Sequence, residues 1–174
     1  MRKSSLVLFI ISIAFYAYGF AQGQYEVLKD NDGGKILKGI ISRDILANDT
    51  SFKWYRQNLK AYAGGMDAVT FGKHKDSLQL VIFLGTWCED SQFIIPKLFP
   101  FFDAAGFSND RITLVGVDRN KKSISHITDA FNVINVPTVI VMKEGKELGR
   151  VVEYGKYGVV EKELAEIADK DGIN

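Results

Sequence analysis

Cys88 is the only cysteine of the 174-residue chain, and its thiol is the most reactive nucleophile that the sequence offers. It comes shortly after a nearly continuous apolar run, residues 78–84, which is typical of a strand buried on both faces. A helical pattern of apolar residues follows it and extends to Ala105. The sequence therefore predicts that Cys88 lies where a buried strand ends and a helix begins.

That position favours an ionised thiol at Cys88. Unpaired backbone N–H groups converge at a helix N-terminus, and the helix dipole adds about half a positive charge there. The thiolate is the form that attacks disulfides. Glu89 and Asp90 follow directly, and their carboxylates complement the dipole but oppose a negative charge on sulfur. We expect a reactive thiol here, and a buried, inert cysteine is the alternative.

The first residues predict a leader for export. Arg2 and Lys3 precede an apolar stretch, residues 6–17, and the small residues Gly19 and Ala21 follow it. This order is typical of a secretory signal peptide over residues 1–21, cleaved after Ala21. Cleavage after Gly19 is the alternative site, and an uncleaved membrane anchor is the alternative structure. We expect secretion across an inner membrane into a periplasm, with membrane contact only if the leader stays attached.

Charge and motifs argue against several other functions. Without Arg2 and Lys3, 20 basic and 21 acidic side chains remain, so electrostatics gives no reason to expect nucleic-acid binding. His74 and His126 lie far apart, and neither has metal-ligand spacing to Cys88. No phosphate-binding glycine loop or dinucleotide motif is present. We therefore expect no metal and no cofactor, while a hydrolytic cysteine–histidine pair stays open.

The order of elements from residue 78 onward predicts a mixed sheet. Strands are expected at residues 78–84, 111–117, 138–142 and 147–152, with a hairpin turn at 143–146 and helices at 88–105, 123–132 and in the C-terminal tail. A crossover helix makes the first two strands parallel, so their carboxyl ends open on one edge of the sheet. Cys88 falls at that edge.

Residues 22–75 precede this domain as an N-terminal helical extension. A polar lead with a turn at 31–34 comes first, and residues 36–46 carry no clear pattern. One amphipathic helix is then expected, capped by Asp49 or Thr50, ended by Gly64 and Gly65, and presenting Phe52, Tyr55, Leu59 and Tyr62 on one face. We expect this helix to pack on the domain that spans residues 76–174.

The run from Trp87 to Ser91, Trp-Cys-Glu-Asp-Ser, resembles the thioredoxin-family Trp-Cys-x-x-Cys site with serine in place of the second cysteine. Two prolines agree with this resemblance. Pro96 lies eight residues after the cysteine, where thioredoxins carry a helix proline, and Val136-Pro137 opens a strand as the family's cis-proline does. The resemblance covers about residues 76–170 and implies a thioredoxin-like α/β fold, with helices on both faces of a mixed sheet.

The resemblance also implies a role for each matching residue. Cys88 would attack a disulfide, and Ser91 would donate a hydrogen bond to its sulfur. Trp87, Val136 and Pro137 would line the groove for an extended substrate peptide. Cis geometry at Pro137 is implied by the family alone, since X–Pro bonds in general favour trans. The implied substrate is a protein disulfide or a small thiol, and the implied reductant is an external thiol.

The chain departs from the family pattern at Ser91 and Ile82, and the usual proline between the two active-site positions is absent. Ser91 cannot form an internal disulfide, so an outside thiol must break any mixed disulfide on Cys88. Ile82 stands where typical thioredoxins carry a buried acid; Asp90 is a candidate proton acceptor in its place, with helix capping as the alternative. Two functions therefore stay open: a single-cysteine thiol-disulfide oxidoreductase, and a redox-inactive peptide-binding or chaperone-like module. A peroxide sensor is a third.

Overall fold

The computed structural model of the protein describes residues 24–170. The expected signal peptide, residues 1–21, and its cleavage site lie outside these described residues. Within residues 24–170, no helix combines the length and the apolar character that crossing a membrane requires.

Six strands of the described chain form one mixed sheet. They are β1 (Tyr25–Lys29), β2 (Lys35–Ile41), β3 (Leu78–Leu84), β4 (Ile112–Gly116), β5 (Thr138–Lys143) and β6 (Lys146–Val152). Their order across the sheet is β1-β2-β4-β3-β5-β6. β3 and β4 are parallel, and the other neighbours are antiparallel. The predicted mixed sheet is confirmed, and the carboxyl ends of β3 and β4 lie at the same edge.

The described helices are α1 (Arg43–Asn48), α2 (Lys53–Asn58), α3 (Met66–Gly72), α4 (Glu89–Ala104), α5 (Ile127–Ala130) and α6 (Val160–Asp169). Alternate side chains of the strands enter two cores, because successive residues of a strand point to opposite faces. Leu80, Ile82 and Leu84 of β3 join the larger core, to which α2, α3, α4 and α6 contribute. Phe83 joins the smaller core, where Phe131 beyond α5 packs against it. Helices thus cover both faces.

The N-terminal region contributes strands as well as helices. Residues 25–41, expected as a polar lead followed by an unassigned stretch, form a hairpin that enters the sheet beside β4. Its turn at 31–34 is confirmed, with Gly33 N donating to Asp30 O at 3.0 Å. Gly116 on β4 allows the close approach, because a Cβ there would collide with the Leu37 carbonyl oxygen. The sheet therefore extends into residues 22–75, which were expected to form a helical extension.

The amphipathic helix expected after Asp49 is shorter than predicted. The Asp49 carboxylate does accept from Ser51 N at 2.9 Å, and a 3-10 turn leads into α2. That helix ends at Asn58, and Leu59 is 41% exposed. The Asn58 side chain instead donates to a carbonyl of α4 at 3.0 Å, which gives the chain a tertiary contact where the pattern predicted a further helical turn.

The predicted helix at 123–132 is also interrupted. Ser125 and His126 both have positive φ, 51° and 55°, so a 3-10 turn and a single α-helical turn replace one continuous helix. Left-handed backbone at these positions breaks the regular helical hydrogen bonds. Ile127 and Phe131 nevertheless pack against the smaller core, as their spacing predicted.

Candidate functional site

Cys88 occupies the N-cap position of α4, one short loop after β3. Its backbone N–H donates to Gly85 O at 3.0 Å, and its carbonyl accepts from Gln92 N at 2.9 Å. The side chain is a half-buried free thiol, and its Sγ donates to the carbonyl oxygen of Val136 at 3.3 Å. The structure therefore places the sulfur at a helix N-terminus and against the chain segment that opens β5.

That segment forms the second wall of the site. Val136 and Pro137 are both buried, and the peptide bond between them is cis. The carbonyl oxygen of Pro137 accepts from Glu153 N at 2.7 Å, which ties the segment to the end of β6. Cys88, Val136 and Pro137, 48 and 49 residues apart in sequence, are thus brought together at one edge of the sheet.

Trp87 forms the wall on the other side of the thiol. Its ring is half-buried, and Nε1 donates to Val117 O at 3.0 Å beyond the end of β4. Gly85 lies against the ring, since a Cβ there would come within 2.8 Å of Trp87 Cε2. The Arg119 guanidinium lies 5.1 Å from the ring centroid, within range of a cation–π interaction. Contacts with Gly85 and Arg119 and the hydrogen bond to Val117 therefore restrict the Trp87 ring.

Ser91 has a different partner from the one expected. It is fully buried, and its Oγ accepts a hydrogen bond of 3.2 Å from Gly85 N. Ser91 was expected to donate to the Cys88 sulfur, but its position in the first turn of α4 brings its side chain back toward the preceding loop. The hydroxyl therefore fixes the start of the Gly85–Cys88 loop, which carries the thiol.

Asp90 contacts a residue that the sequence did not suggest. Its side chain does not cap α4; it accepts a hydrogen bond of 2.8 Å from the hydroxyl of Tyr154, just beyond β6. That hydrogen bond raises the pKa of Tyr154, and the charges of Asp90 and Cys88 raise it further. Tyr154 is 42% exposed, so its ring is open to a bound molecule. The sequence feature that could have indicated Tyr154 was an aromatic residue in a glycine-containing loop after an edge strand.

Helix α4 is held in place by a contact from the N-terminal part of the chain. Pro96 lies inside α4 and has no N–H, so the Gln92 carbonyl four residues earlier has no helical donor. Asn58 Nδ2 of α2 supplies the missing donor at 3.0 Å. The Gln92 side chain in turn donates to Thr86 O at 2.8 Å. These contacts fix the position of the first turns of α4 relative to the loop that carries Cys88.

An apolar cleft lies beside Tyr154, between α4 and the start of α6. Its volume is about 220 Å³, and Phe93 and Val159 on its walls are 44% and 46% exposed. The Lys97 ammonium lies over the Phe93 ring, 2.8 Å from its centroid. Tyr154 lines this cleft and also donates to Asp90, two residues after Cys88, so one residue links the cleft wall to the neighbourhood of the thiol.

Two sequence expectations about chemistry at other positions can be placed in the structure. Ile82 is fully buried in the larger core, so an apolar side chain occupies the position of the family's buried acid. Within residues 24–170, no group of three or more histidine, cysteine, aspartate or glutamate side chains has an arrangement that could hold a metal ion. The groups that the described residues bring near the site are one thiol, its neighbouring carboxylates and a tyrosine hydroxyl.

Comparisons with known proteins identify the family of the chain. The thioredoxin family model matches residues 69–166, from α3 into α6. A thioredoxin of Echinococcus granulosus is 30% identical over 95 residues, which cover 55% of this chain and 83% of that protein. A thioredoxin of Staphylococcus aureus is 31% identical over 105 residues, covering 60% and 91%. The crystal structure of a thioredoxin from Trypanosoma brucei brucei shares 19% identity, with a TM-score of 0.37 and coverage of 67% and 95%. The chain belongs to the thioredoxin family.

Proposed function

We propose that this protein is a thiol-disulfide oxidoreductase that acts through the single cysteine Cys88 in an extracytoplasmic compartment. The observation that carries the proposal is the position of Cys88 Sγ. It is half-buried at the N-terminus of a 16-residue helix and lies 3.3 Å from the carbonyl of Val136, beside Pro137. A helix N-terminus favours a thiolate, and a thiolate beside an extended backbone segment is suited to attack a peptide disulfide.

The proposed reaction has two exchange steps. In the first, the Cys88 thiolate attacks one sulfur of a substrate disulfide; that S–S bond breaks, a mixed disulfide forms on Cys88, and the other sulfur leaves as a thiolate and takes up a proton. In the second, the thiolate of an external thiol such as glutathione attacks the substrate sulfur of the mixed disulfide. The bond to Cys88 breaks and the Cys88 thiolate is released. The net change is one disulfide exchanged for another.

The neighbouring residues suggest how protons are handled. Asp90 lies two residues after Cys88 and is held by the Tyr154 hydroxyl at 2.8 Å. With Ile82 in the place of a buried acid, Asp90 is our candidate to accept the thiol proton and return it to the leaving sulfur. In this role Tyr154 orients the carboxylate, and its exposed ring forms part of the groove wall.

The surroundings of the thiol favour a protein disulfide over a small thiol as substrate. The apolar cleft beside Tyr154 has room for a large side chain of a bound peptide, and Phe93 and Val159 present exposed apolar surface there. Val136 supplies a backbone edge for an extended segment. An external thiol is needed for release because Ser91 cannot act as a resolving thiol.

We also propose that the protein is exported, which rests on the sequence pattern of residues 1–21. N-terminal sequencing of the protein recovered from a periplasmic fraction tests this. We expect the mature chain to begin at Gln22, and recovery from the cytoplasm with residues 1–21 attached would refute export.

The alternative is a peptide-binding module without turnover, and the absence of a resolving thiol favours it. The two functions are separated by incubating the protein with a peptide disulfide and glutathione, and by comparing the wild type with Cys88→Ser and Ser91→Cys. If the protein is an oxidoreductase, the Cys88→Ser variant loses turnover. Equal turnover in the wild type and Cys88→Ser would exclude it, and peptide binding that survives in Cys88→Ser without any turnover in the wild type would support the module.

A further inference from the structure

The hairpin β1–β2 lies outside the segment that the thioredoxin family model matches, yet its strand β2 contacts the loop Gly85–Cys88, here called the redox loop. We propose that this hairpin is part of the redox site and that Asp30, between its two strands, is a positioning residue for Trp87. The inference rests on the proposed function, because Trp87 matters to the reaction as a wall of the substrate groove. Its structural part, the restraint of the Trp87 ring, can be tested separately.

The first step is the ion pair between Asp30 and Arg119. The Asp30 carboxylate receives two hydrogen bonds from the guanidinium, at 2.6 Å from Nε and 2.7 Å from Nη2. The Asp30 side chain is only 5% exposed, whereas that of Arg119 is 48% exposed. Hydrogen bonds from Arg119 hold the pKa of Asp30 below its usual range, although burial acts in the opposite direction. The buried carboxylate therefore fixes the position and orientation of an otherwise exposed guanidinium.

The second step is the contact between Arg119 and Trp87. The guanidinium carbon lies 5.1 Å from the centroid of the indole, while Nε1 of the same ring donates to Val117 O at 3.0 Å. A two-point bidentate pair holds a planar guanidinium in one plane more strictly than a single contact does. Asp30 thus restrains the ring beside Cys88 through Arg119.

Further hydrogen bonds from β2 reach the residue before Trp87. The Thr86 hydroxyl donates to Lys35 O at 3.1 Å and accepts from Leu37 N at 3.2 Å. Thr86 is only 3% exposed, so its two bonds lie in a region that water hardly reaches. The hairpin therefore fixes the redox loop at Thr86 and the groove wall at Trp87.

The chain contains a matched pair of the same chemistry elsewhere. Arg43 makes two hydrogen bonds of 3.0 Å to Asp103, and its guanidinium lies 4.5 Å from the centroid of Phe99. Asp103 lies 15 residues after Cys88 along α4, which is about 22 Å along the helix axis. A substitution that breaks the Arg43–Asp103 pair removes the same kind of interaction but leaves the surroundings of Cys88 unchanged.

The experiment compares Asp30→Asn with Asp103→Asn in two reactions. One is attack on an extended peptide whose cysteine carries a thionitrobenzoate leaving group; the other is alkylation by iodoacetamide, a small reagent that needs contact only with the sulfur. We expect Asp30→Asn to slow the peptide reaction about threefold to tenfold while alkylation changes less than twofold. Asp103→Asn should leave both rates at the wild-type value.

A fluorescence measurement tests the restraint of the ring without any substrate. In a Trp54→Phe background, Trp87 is the remaining tryptophan, and acrylamide should quench it more strongly in Asp30→Asn than in Asp103→Asn. If the wild type does not react with the peptide at all, the proposed function fails, and the quenching comparison still decides whether Asp30 restrains Trp87.

Two outcomes would overturn the proposal. One is equal behaviour of Asp30→Asn and Asp103→Asn in the peptide reaction and in quenching. The other is equal slowing of peptide attack and alkylation in Asp30→Asn, which would show that the thiol itself has changed. If Asp30→Asn does not fold, the double variant Asp30→Asn with Arg119→Gln, which leaves no unpaired guanidinium, must show the slowed peptide reaction; a wild-type rate there refutes the role.

Discussion

The Sγ atom of Cys88 lies 3.3 Å from the carbonyl oxygen of Val136, with the thiol as donor. This contact couples the nucleophile to the groove, because ionisation of the thiol removes the donor and leaves the carbonyl free for a substrate backbone N–H. The same backbone segment continues into Pro137, whose carbonyl is tied to the end of β6. In the proposed reaction, formation of the thiolate therefore also frees the Val136 carbonyl oxygen to accept a hydrogen bond from a substrate.

Replacing Ser91 with cysteine should supply a resolving thiol. We expect release of the substrate from the mixed disulfide to become independent of added glutathione, because the second sulfur lies in the first turn of the same helix as Cys88. The free energy of unfolding should fall by about 1 kcal/mol, since sulfur is a weaker acceptor for the Gly85 N–H than Ser91 Oγ. Stopped-flow measurement of peptide release checks this, with Ser91→Ala as the control; continued dependence on glutathione would contradict it.

Removing the Asp90 charge should affect two reactions in opposite directions. Asp90→Asn should speed alkylation of Cys88 at neutral pH about twofold to fivefold, because a carboxylate near the thiolate is lost. The variant should slow disulfide exchange about tenfold or more if Asp90 carries the proton. Glu89→Gln is the matched control, since Glu89 is also in the first turn of α4 but is not the acceptor of the Tyr154 hydroxyl. Slower exchange in Glu89→Gln as well, or unchanged exchange in Asp90→Asn, rules out the proton role.

The cleft beside Tyr154 should select among substrates. We expect Val159→Lys to slow exchange with a peptide that carries an apolar side chain near its cysteine by about fivefold, while the rate with glutathione disulfide stays unchanged. Met66→Lys serves as the control, because Met66 is 76% exposed and belongs to α3 rather than to the cleft. Parallel loss of rate with both substrates in Val159→Lys would argue against a peptide-binding role for the cleft.

The Asp30–Arg119 pair predicts a specific dependence of stability on pH. The folded state lowers the pKa of Asp30 below 3.8. The stabilisation that the ionised Asp30 contributes is therefore fully present above its unfolded-state pKa, and it is lost as the pH falls through its folded-state pKa. The difference in unfolding free energy between the wild type and Asp30→Asn should therefore be constant near neutral pH and shrink below about pH 4. Urea denaturation of both proteins at several pH values measures it, and a difference that grows on acidification would be the contrary result.

The sequence predicted the centre of the site because the relevant signals there are local. The apolar run of β3, the thiol at the following helix and the proline before β5 each depend on a few neighbouring residues, and the structure shows β3 at residues 78–84 as expected. The contact between Ser91 and Gly85 was not predicted, since the direction of the Ser91 side chain depends on how the loop returns to Gly85.

The remaining parts of the site depend on contacts across long stretches of chain. Tyr154 and Asp90 are 64 residues apart, and Asp30 and Arg119 are 89 residues apart, so no local pattern joins them. The strand β2 has adjacent apolar residues at 36 and 37 and lacks the simple alternation that indicates a half-buried strand. Its place beside β4 is decided by tertiary pairing, which the sequence pattern of residues 25–41 does not reveal.

The most direct test of the account is to incubate the protein with a peptide disulfide without any other thiol and to measure the mass of the product by intact-protein mass spectrometry. The account predicts one covalent adduct, located at Cys88 by peptide mapping, removed by glutathione and absent in Cys88→Ser. An unmodified wild-type protein after long incubation at neutral pH would contradict the claim that this sulfur attacks disulfides.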